Sequence, residues 1–534
     1  MKKFTLLAII LFASFLRLFD LARTPPSLYW DEASLGYNAY SILKTARDEH
    51  GKFLPITNFA AFGDYKPPLY IYASVPAIYL FGLNEFAIRF PSAFFGIATV
   101  VLTYLLAKKI FQNEALSQLA AFFLAISPWH LQFSRGAFEA NLGLFFSTLA
   151  IWCFFKFAKD HPFWIFPSLI SFLAGMYTFT GQRLFVPVIL FILALTFRKE
   201  LIARFKIVLL ALLIFIILFK PLFIFVTQTI EGRLRFDEVT IFKDLEPINQ
   251  SVIFRELDND TWWSKIIHNR RFFYAYEYLR HYFDTYNPSF LFSHGDVNPR
   301  LSIQEIGELY YFDLPLVLAG IYFLFSQKQK YRWFIIGWLL ISPLGPATAR
   351  ETPHALRMIH ILPTFQLIAA FGIFNLYNIT KGNKLFIIFA SLIVALNFSY
   401  YLHMYYLHWP KLYSSQWQYG YKETVQTVES YYDKVDYVVV TKGEGRPYIY
   451  FLLYNMFDPT KYRKDAEIVK DRFFLIDVNG FDKFRFSDNP QQVPVSGKVL
   501  YVVGPDQLPE MSQKVTIIKN LEGNTVFEIG IVSK

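Results

Sequence analysis

Two adjacent carboxylates, Asp31 and Glu32, close the segment Pro25-Pro26-Ser27-Leu28-Tyr29-Trp30-Asp31-Glu32, directly after the first apolar run of the chain. A carboxylate placed there can take a proton from a hydroxyl, provided that its neighbours set its pKa and a dry pocket holds the acceptor. The same side chain also serves as a helix cap, and Asp31 stands before a helical pattern through Ala33, Tyr37 and Tyr40. A second group follows in Gly63-Asp64-Tyr65-Lys66-Pro67-Pro68-Leu69-Tyr70. The two prolines hold the chain extended and then start a helix, so Lys66 is aimed by stiff backbone. A lysine at a membrane surface binds phosphate, or it snorkels beside headgroups.

Two further segments carry charge next to apolar runs. In Ser134-Arg135-Gly136-Ala137-Phe138-Glu139, residues Arg135 and Glu139 are four apart and would share one face of a continuous helix. They form a local ion pair, or they add an acid and a base to the same outer pocket. In Arg350-Glu351-Thr352-Pro353-His354-Ala355-Leu356-Arg357-Met358-Ile359-His360, Arg357 begins an apolar run, where a guanidinium can hold a phosphate at two points. Ionisable residues at membrane depth are costly to keep and are site candidates by default. Arg183, Arg300, His354 and His360, with Tyr37, Asp64 and Tyr65, complete the candidate substrate contacts. The histidines show no zinc spacing, and no glycine-rich nucleotide loop is present, so the energy for a synthetic step must arrive within the substrate.

The elements that position these residues are apolar helices. Of 534 residues, 54% are hydrophobic, 19% aromatic and only 18% charged. The mean hydropathy is +0.31. A soluble chain carries nearer a quarter charged residues. Apolar runs fall at 4–22, 90–110, 114–132, 141–158, 162–181, 184–198, 206–226, 312–326, 332–347, 359–379 and 385–405. They predict about eleven membrane spans, since a helix of about 20 residues crosses a bilayer. The opening Met1-Lys2-Lys3 and the run after it lack a small-residue cleavage site and read as an uncleaved first span. The lone Cys153 excludes an intrachain disulfide.

The net charge of +10 is explained by topology rather than by nucleic acid. With Leu69 to Leu83 taken as a helix lying on the outer membrane face, the loops separate. Fifteen Lys and Arg, from Lys2 and Lys3 to Lys381 and Lys384, fall on one side; Arg135, Arg183, Arg350 and Arg357 fall on the other. The positive-inside rule then places the N-terminus in the cytoplasm and the C-terminus outside a cell membrane. The expected organisation is a transmembrane domain over 1–406, with outer loops at 23–89 and 227–311, and an outer domain over 407–534. That tail alternates β runs (437–440, 473–476, 499–503, 515–518) with helical stretches near 421–432 and 447–455, the pattern of a small α/β domain.

In order, Arg17…Leu21…Pro25-Pro26…Asp31-Glu32, Lys66-Pro67-Pro68-Leu69, Glu85-Phe86-Ala87-Ile88-Arg89-Phe90-Pro91-Ser92 and Ser134-Arg135 resemble the GT-C glycosyltransferases. More narrowly the chain is similar to the protein O-mannosyltransferase and aminoarabinose (lipid A) transferase group, closely over 14–145 and more loosely to about 380. The resemblance implies a sugar donor on a polyprenyl phosphate, a catalytic base at Asp31 with Glu32 beside it, and Lys66 near the donor phosphate. It implies a second acidic position at Glu139, where an Asp is more usual. In the aminoarabinose branch a Glu precedes the lysine and joins a metal site; here Tyr65 stands there with Asp64 one earlier, which leaves divalent-metal use open.

The expected reaction is sugar transfer, with inversion, to an extracytoplasmic protein hydroxyl, lipid or envelope glycan. Phosphate leaves without a proton, so one carboxylate base suffices, and cations at Lys66, Arg135 and Arg357 would stabilise the departing charge. The alternative is a polytopic lipid or solute transporter or flippase. Such proteins show repeats and midplane sites, whereas here no repeat is visible and the candidates gather at one surface.

Overall fold

The computed structural model describes residues 2–470 and 476–533. The chain divides into two compact units, and both are discontinuous in sequence. One comprises Met1–Leu16, Phe95–Ser134 and Glu139–Tyr401; the other comprises Arg17–Phe94, Arg135–Phe138 and Leu402–Lys534.

The first unit is built of apolar helices. Among the described residues, four helices of the chain are long and apolar enough to cross a bilayer: Glu85–Phe111, Glu139–Lys159, Phe205–Gln228 and Lys384–Leu412. A fifth arises where Ala355–Ile361 and Thr364–Ile379 meet at 53° and count as one span. The expectation of eleven full spans is therefore met in part. Several runs form helices of 10–17 residues, among them Phe4–Leu18, Glu114–Ile126, Pro162–Met176, Gln182–Thr196 and Asp313–Ser326. Proline accounts for two of the shortened runs, because it lacks the amide that would continue the ladder and its ring clashes with the preceding turn. The run 114–132 is cut at Ser127-Pro128, and the run 332–347 ends as Arg332–Ile341 before Pro343 and Pro346. Phe205–Gln228 and Lys384–Leu412 turn almost all of their apolar surface outward, as lipid-facing helices do.

The second unit gathers Arg17–Phe94, the four residues Arg135–Phe138 and the tail. Strands β1 (Phe59–Ala61) and β2 (Asp64–Lys66) form a hairpin with Ala61 opposite Asp64. Its turn, Phe62-Gly63, has φ of 59° and 93°, the left-handed pair that suits the twist of a two-residue hairpin. The tail forms a seven-stranded mixed sheet. Its strands are β3 (Tyr437–Thr441), β4 (Glu467–Lys470), β5 (Ile476–Phe481), β6 (Phe484–Ser487), β7 (Lys498–Val503), β8 (Gln513–Lys519) and β9 (Thr525–Ser533), in the order β4-β5-β6-β3-β7-β9-β8. Central β3 runs parallel to β6 and β7, and Val439, Val499, Tyr501 and Val503 fill the core over it. Of the β run expected at 473–476, residues Phe473, Phe474 and Leu475 lie outside the described residues. Helices Tyr421–Glu429 and Pro447–Tyr454 stand where helical stretches were expected. Pro447–Tyr454 packs against the helix Trp30–Thr45, so tail and first loop share one core.

Candidate active site

The site starts at the helix Trp30–Thr45, whose N-cap is Tyr29. Asp31 lies inside the first turn rather than at the cap, so its carboxylate is not used as the capping group. It points instead to Lys66, with Oδ1 3.1 Å from Nζ. Lys66 also meets Asp64 Oδ2 at 2.9 Å. The hairpin makes this bridge: Lys66 ends β2, where it sits opposite Phe59, and Pro67-Pro68 follow at once. The Lys66 side chain is 13% exposed, whereas Asp31 and Asp64 keep 37% and 30% of theirs open. Two carboxylates thus face outward over one largely covered ammonium. Tyr65 turns its amide to Asp64 Oδ1 at 2.9 Å.

Glu32 is spent differently. It is buried, and Oε1 accepts from Arg89 Nε at 3.0 Å and from the amide of Ala137 at 2.7 Å. Oε2 accepts from Arg89 Nη2 at 3.0 Å and from the amide of Tyr29 at 3.1 Å. Arg89 fills the rest of its fork with the carbonyls of Leu21, Pro25 and Ser27. A planar guanidinium with five fixed donors suits this task, since a lysine could not reach a carboxylate and three carbonyls at once. Arg89 therefore wraps residues 21–27 around itself and presents the next turn, with Asp31, outward. Arg89 is a site-building residue that composition and spacing did not single out; the signal was an arginine four residues into the apolar helix Glu85–Phe111.

Arg135 is 1% exposed. Nη2 donates to the carbonyl of Thr24 at 3.0 Å, Nε donates to Tyr405 Oη at 3.1 Å, and the rings of Tyr405 and Tyr406 lie 5.4 and 5.1 Å from the guanidinium. Arg135 and Glu139 do not share a helix face. One helix, Pro128–Arg135, ends at the arginine and the next begins at Glu139, because the amide of Ala137 leaves the helical ladder for Glu32. Tyr37 is buried and donates its hydroxyl to the carbonyl of Phe457 at 3.0 Å.

Glu139, Arg183, Arg300, His354, Arg357 and His360 belong to the first unit. There His354 Nδ1 lies 3.7 Å from Asp296 Oδ2, which accepts from the amide of Ala355 at 2.6 Å. Burial raises Asp296 to about 6, against the bonds from the Asn298 and Ala355 amides. Asp296 was also absent from the candidates; it holds the start of the turn that carries Arg357. Arg357 donates from Nη1 to the carbonyl of Glu351 at 3.0 Å. Arg183 donates to the carbonyl of Met176 and Arg300 to Asn298 Oδ1. His360 is buried, its Nε2 2.9 Å from the carbonyl of Ser342 and its ring 4.4 Å from that of Phe185.

A divalent metal does not fit the donor set at Asp31. Both outward carboxylates already bind the Lys66 ammonium, and a tyrosine stands at position 65. Among the described residues no group of three or more His, Cys, Asp or Glu could hold a metal ion.

Residues 65–225 match the family model described as dolichyl-phosphate-mannose-protein mannosyltransferase. An uncharacterized protein of Aquifex aeolicus (strain VF5) is 29% identical over 181 residues, which is 32% of this chain and 36% of that one. YkcB of Bacillus subtilis (strain 168) is 26% identical over 175 residues, 32% of this chain and 23% of its own. The alignments thus span about a third and a quarter of those relatives. In fold, ArnT from Cupriavidus metallidurans, crystallised with undecaprenyl phosphate, matches over 98% of this chain and 97% of its own, with a TM-score of 0.55 at 11% identity. The Archaeoglobus fulgidus oligosaccharyltransferase, crystallised with zinc and sulfate, matches over 84% of this chain and 61% of its own, with a TM-score of 0.50 at 12% identity. The chain is thus similar to the mannosyltransferase-like glycosyltransferases of the GT-C superfamily, in sequence over residues 65–225 and in fold over almost its whole length.

Proposed function

We propose that this membrane protein transfers a sugar from a polyprenyl phosphate to an acceptor hydroxyl on the extracytoplasmic face. The observation that carries the reading is the Asp31–Lys66 pair, a base candidate and a phosphate-binding cation 3.1 Å apart at the open end of one helix. The acceptor hydroxyl gives its proton to the Asp31 carboxylate while its oxygen attacks the anomeric carbon. The bond from that carbon to the phosphate oxygen breaks, and its electron pair leaves with the polyprenyl phosphate. One displacement of this kind inverts the anomeric centre.

Lys66 has two duties in this scheme. Before the donor arrives its ammonium is held between Asp31 and Asp64. A phosphate then competes for it, and a lysine swung toward phosphate frees a carboxylate oxygen for the acceptor proton. The ammonium stays beside the leaving group, where charge gathers in the transition state. The likeness in fold to ArnT, which was crystallised with undecaprenyl phosphate, supports the choice of donor class. Glu32 and Arg89 are the frame that holds Asp31 in place.

The test is release of polyprenyl phosphate by purified protein in nanodiscs, supplied with a panel of polyprenyl-phosphate sugars. Wild type should turn over at least one donor, and Asp31→Asn should lose about a hundredfold to ten-thousandfold. Wild-type rates for Asp31→Asn would remove Asp31 as the base. Silence with every donor, while a labelled lipid or solute still crosses the membrane, would replace transfer by transport.

A further inference from the structure

The tail of the chain reaches the helix that carries Asp31, and it does so at that helix's first turn. The leading amides of a helix have no partner within it and must be satisfied from outside. The amide of Tyr29 is satisfied by Glu32. The amide of Trp30 is satisfied by a residue 388 positions away, Gln418, whose Oε1 accepts at 3.3 Å. That same oxygen accepts from Tyr450 Oη at 3.1 Å, and Tyr450 Oη lies 3.0 Å from the carbonyl of Leu28. Tyr450 is fully buried, with its ring stacked on Tyr421 at 4.1 Å and 8°. Gln418 itself sits in a left-handed turn with φ 49° and ψ 41°, just after Trp417, whose ring lies 5.8 Å from the Arg89 guanidinium. The loop after β3 meets the other side of the turn. Gly445 has φ +110°, and a Cβ there would lie 2.5 Å from the Trp30 ring.

We infer that Gln418 is a positioning residue for transfer: it caps the Asp31 helix from the tail, so that the C-terminal domain fixes the direction in which the base points. The inference rests on the reading of Asp31 as base. Its energy scale is that of one cap, and its effect falls on orientation, where a small misplacement of a reacting group costs rate. Gln418 acts through the backbone amide of Trp30 and not on the donor phosphate, so donor binding should survive its loss.

The experiment measures kcat and donor KM for full-length wild type, Gln418→Leu, Gln418→Glu, Tyr450→Phe and Asp31→Asn in nanodiscs, with the thermal midpoint of each. Gln418→Leu, which removes the accepting oxygen, should lower kcat roughly tenfold. Its donor KM should stay within about twofold of wild type, since the Lys66 side of the site is untouched. Gln418→Glu keeps an accepting oxygen and should recover most of the rate. Tyr450→Phe, which leaves the cap in place, should fall between. A folded Gln418→Leu with wild-type kcat would overturn the inference, as would equal losses of kcat and thermal midpoint in Gln418→Leu and Gln418→Glu. A wild-type rate for Asp31→Asn would instead remove the reading of Asp31 as base. A dead Asp31→Asn beside an unaffected Gln418→Leu removes the cap alone.

Discussion

Arg89 and Glu32 lie 57 residues apart in sequence and meet at two points, each 3.0 Å, with side-chain exposures of 0% and 4%. The glutamate sits one residue from the candidate base, yet its four acceptor contacts all face inward. Removing one partner strands a buried charge, which costs about 3–5 kcal/mol, whereas replacing both with apolar groups is often neutral. Glu32→Ala and Arg89→Met should therefore each lower the thermal midpoint and abolish transfer. The double variant should recover part of the midpoint, because no charge is left unpaired, but not all of it, because the amides of Tyr29 and Ala137 and the carbonyls of Leu21, Pro25 and Ser27 lose their partners. It should stay inactive, because Asp31 would no longer be held. Scanning fluorimetry beside the turnover assay checks both.

Lys66→Ala should leave the fold intact and cut turnover by about a hundredfold to a thousandfold, the usual loss for one charge-stabilising donor. Asp64→Asn keeps the hairpin and Asp31, so its loss should stay under about tenfold. The order of the two effects is the prediction: if Asp64→Asn proves the more damaging, Lys66 is not the group on the departing phosphate.

Extended dialysis against a divalent chelator should leave turnover unchanged, since an ammonium already bridges the outward carboxylates. Loss of activity on dialysis, restored by one divalent ion, would show that metal displaces Lys66 during the reaction.

Glu49, in the segment Arg17–Phe94 of the second unit, offers a test of burial by pH. Its carboxyl is buried, accepts from Asn38 Nδ2 at 2.9 Å, and is pushed up by burial to about 8 from the usual 4.5. Between those values the folded chain keeps a proton that the unfolded chain has lost. The stability so contributed is whole below pH 4.5, falls as pH rises, and is gone above about 8. Glu49→Gln mimics the protonated acid and retains an oxygen for Asn38. Its thermal midpoint should pull ahead of wild type as pH rises from 5 to 8 and then run parallel. A constant gap across that range would show that Glu49 ionises in the folded protein as it does in water.

Asp31 and Lys66 were legible in the sequence because each is announced locally, one by its place after the first apolar run and the other by the double proline. Their pairing was not announced, since it depends on a hairpin whose register is set by two turn residues. Glu32 stood as a candidate beside Asp31, and its inward pairing was hidden because its partner Arg89 is 57 residues away. The spacing of Arg135 and Glu139 pointed to one helix face, but a tertiary bond to the Ala137 amide broke the helix between them. Hydropathy located the apolar runs, whereas breaks at Pro128 and Pro343 cut helix length, which a window average smooths over.

The order in which a ribosome delivers these parts differs from the order in which they are needed. Trp30 and its cap are separated by 388 residues, roughly 20–80 s of synthesis at about 5–20 residues per second. Throughout that interval the first loop is already outside, in the proposed topology, with its charges and no lid over its first turn. The second unit can close only when nearly the last residue has emerged. A chain stopped short of the tail would hold Asp31, Lys66 and the Glu32–Arg89 pair but not the Gln418 cap, so nascent and truncated copies should transfer more slowly than the finished chain.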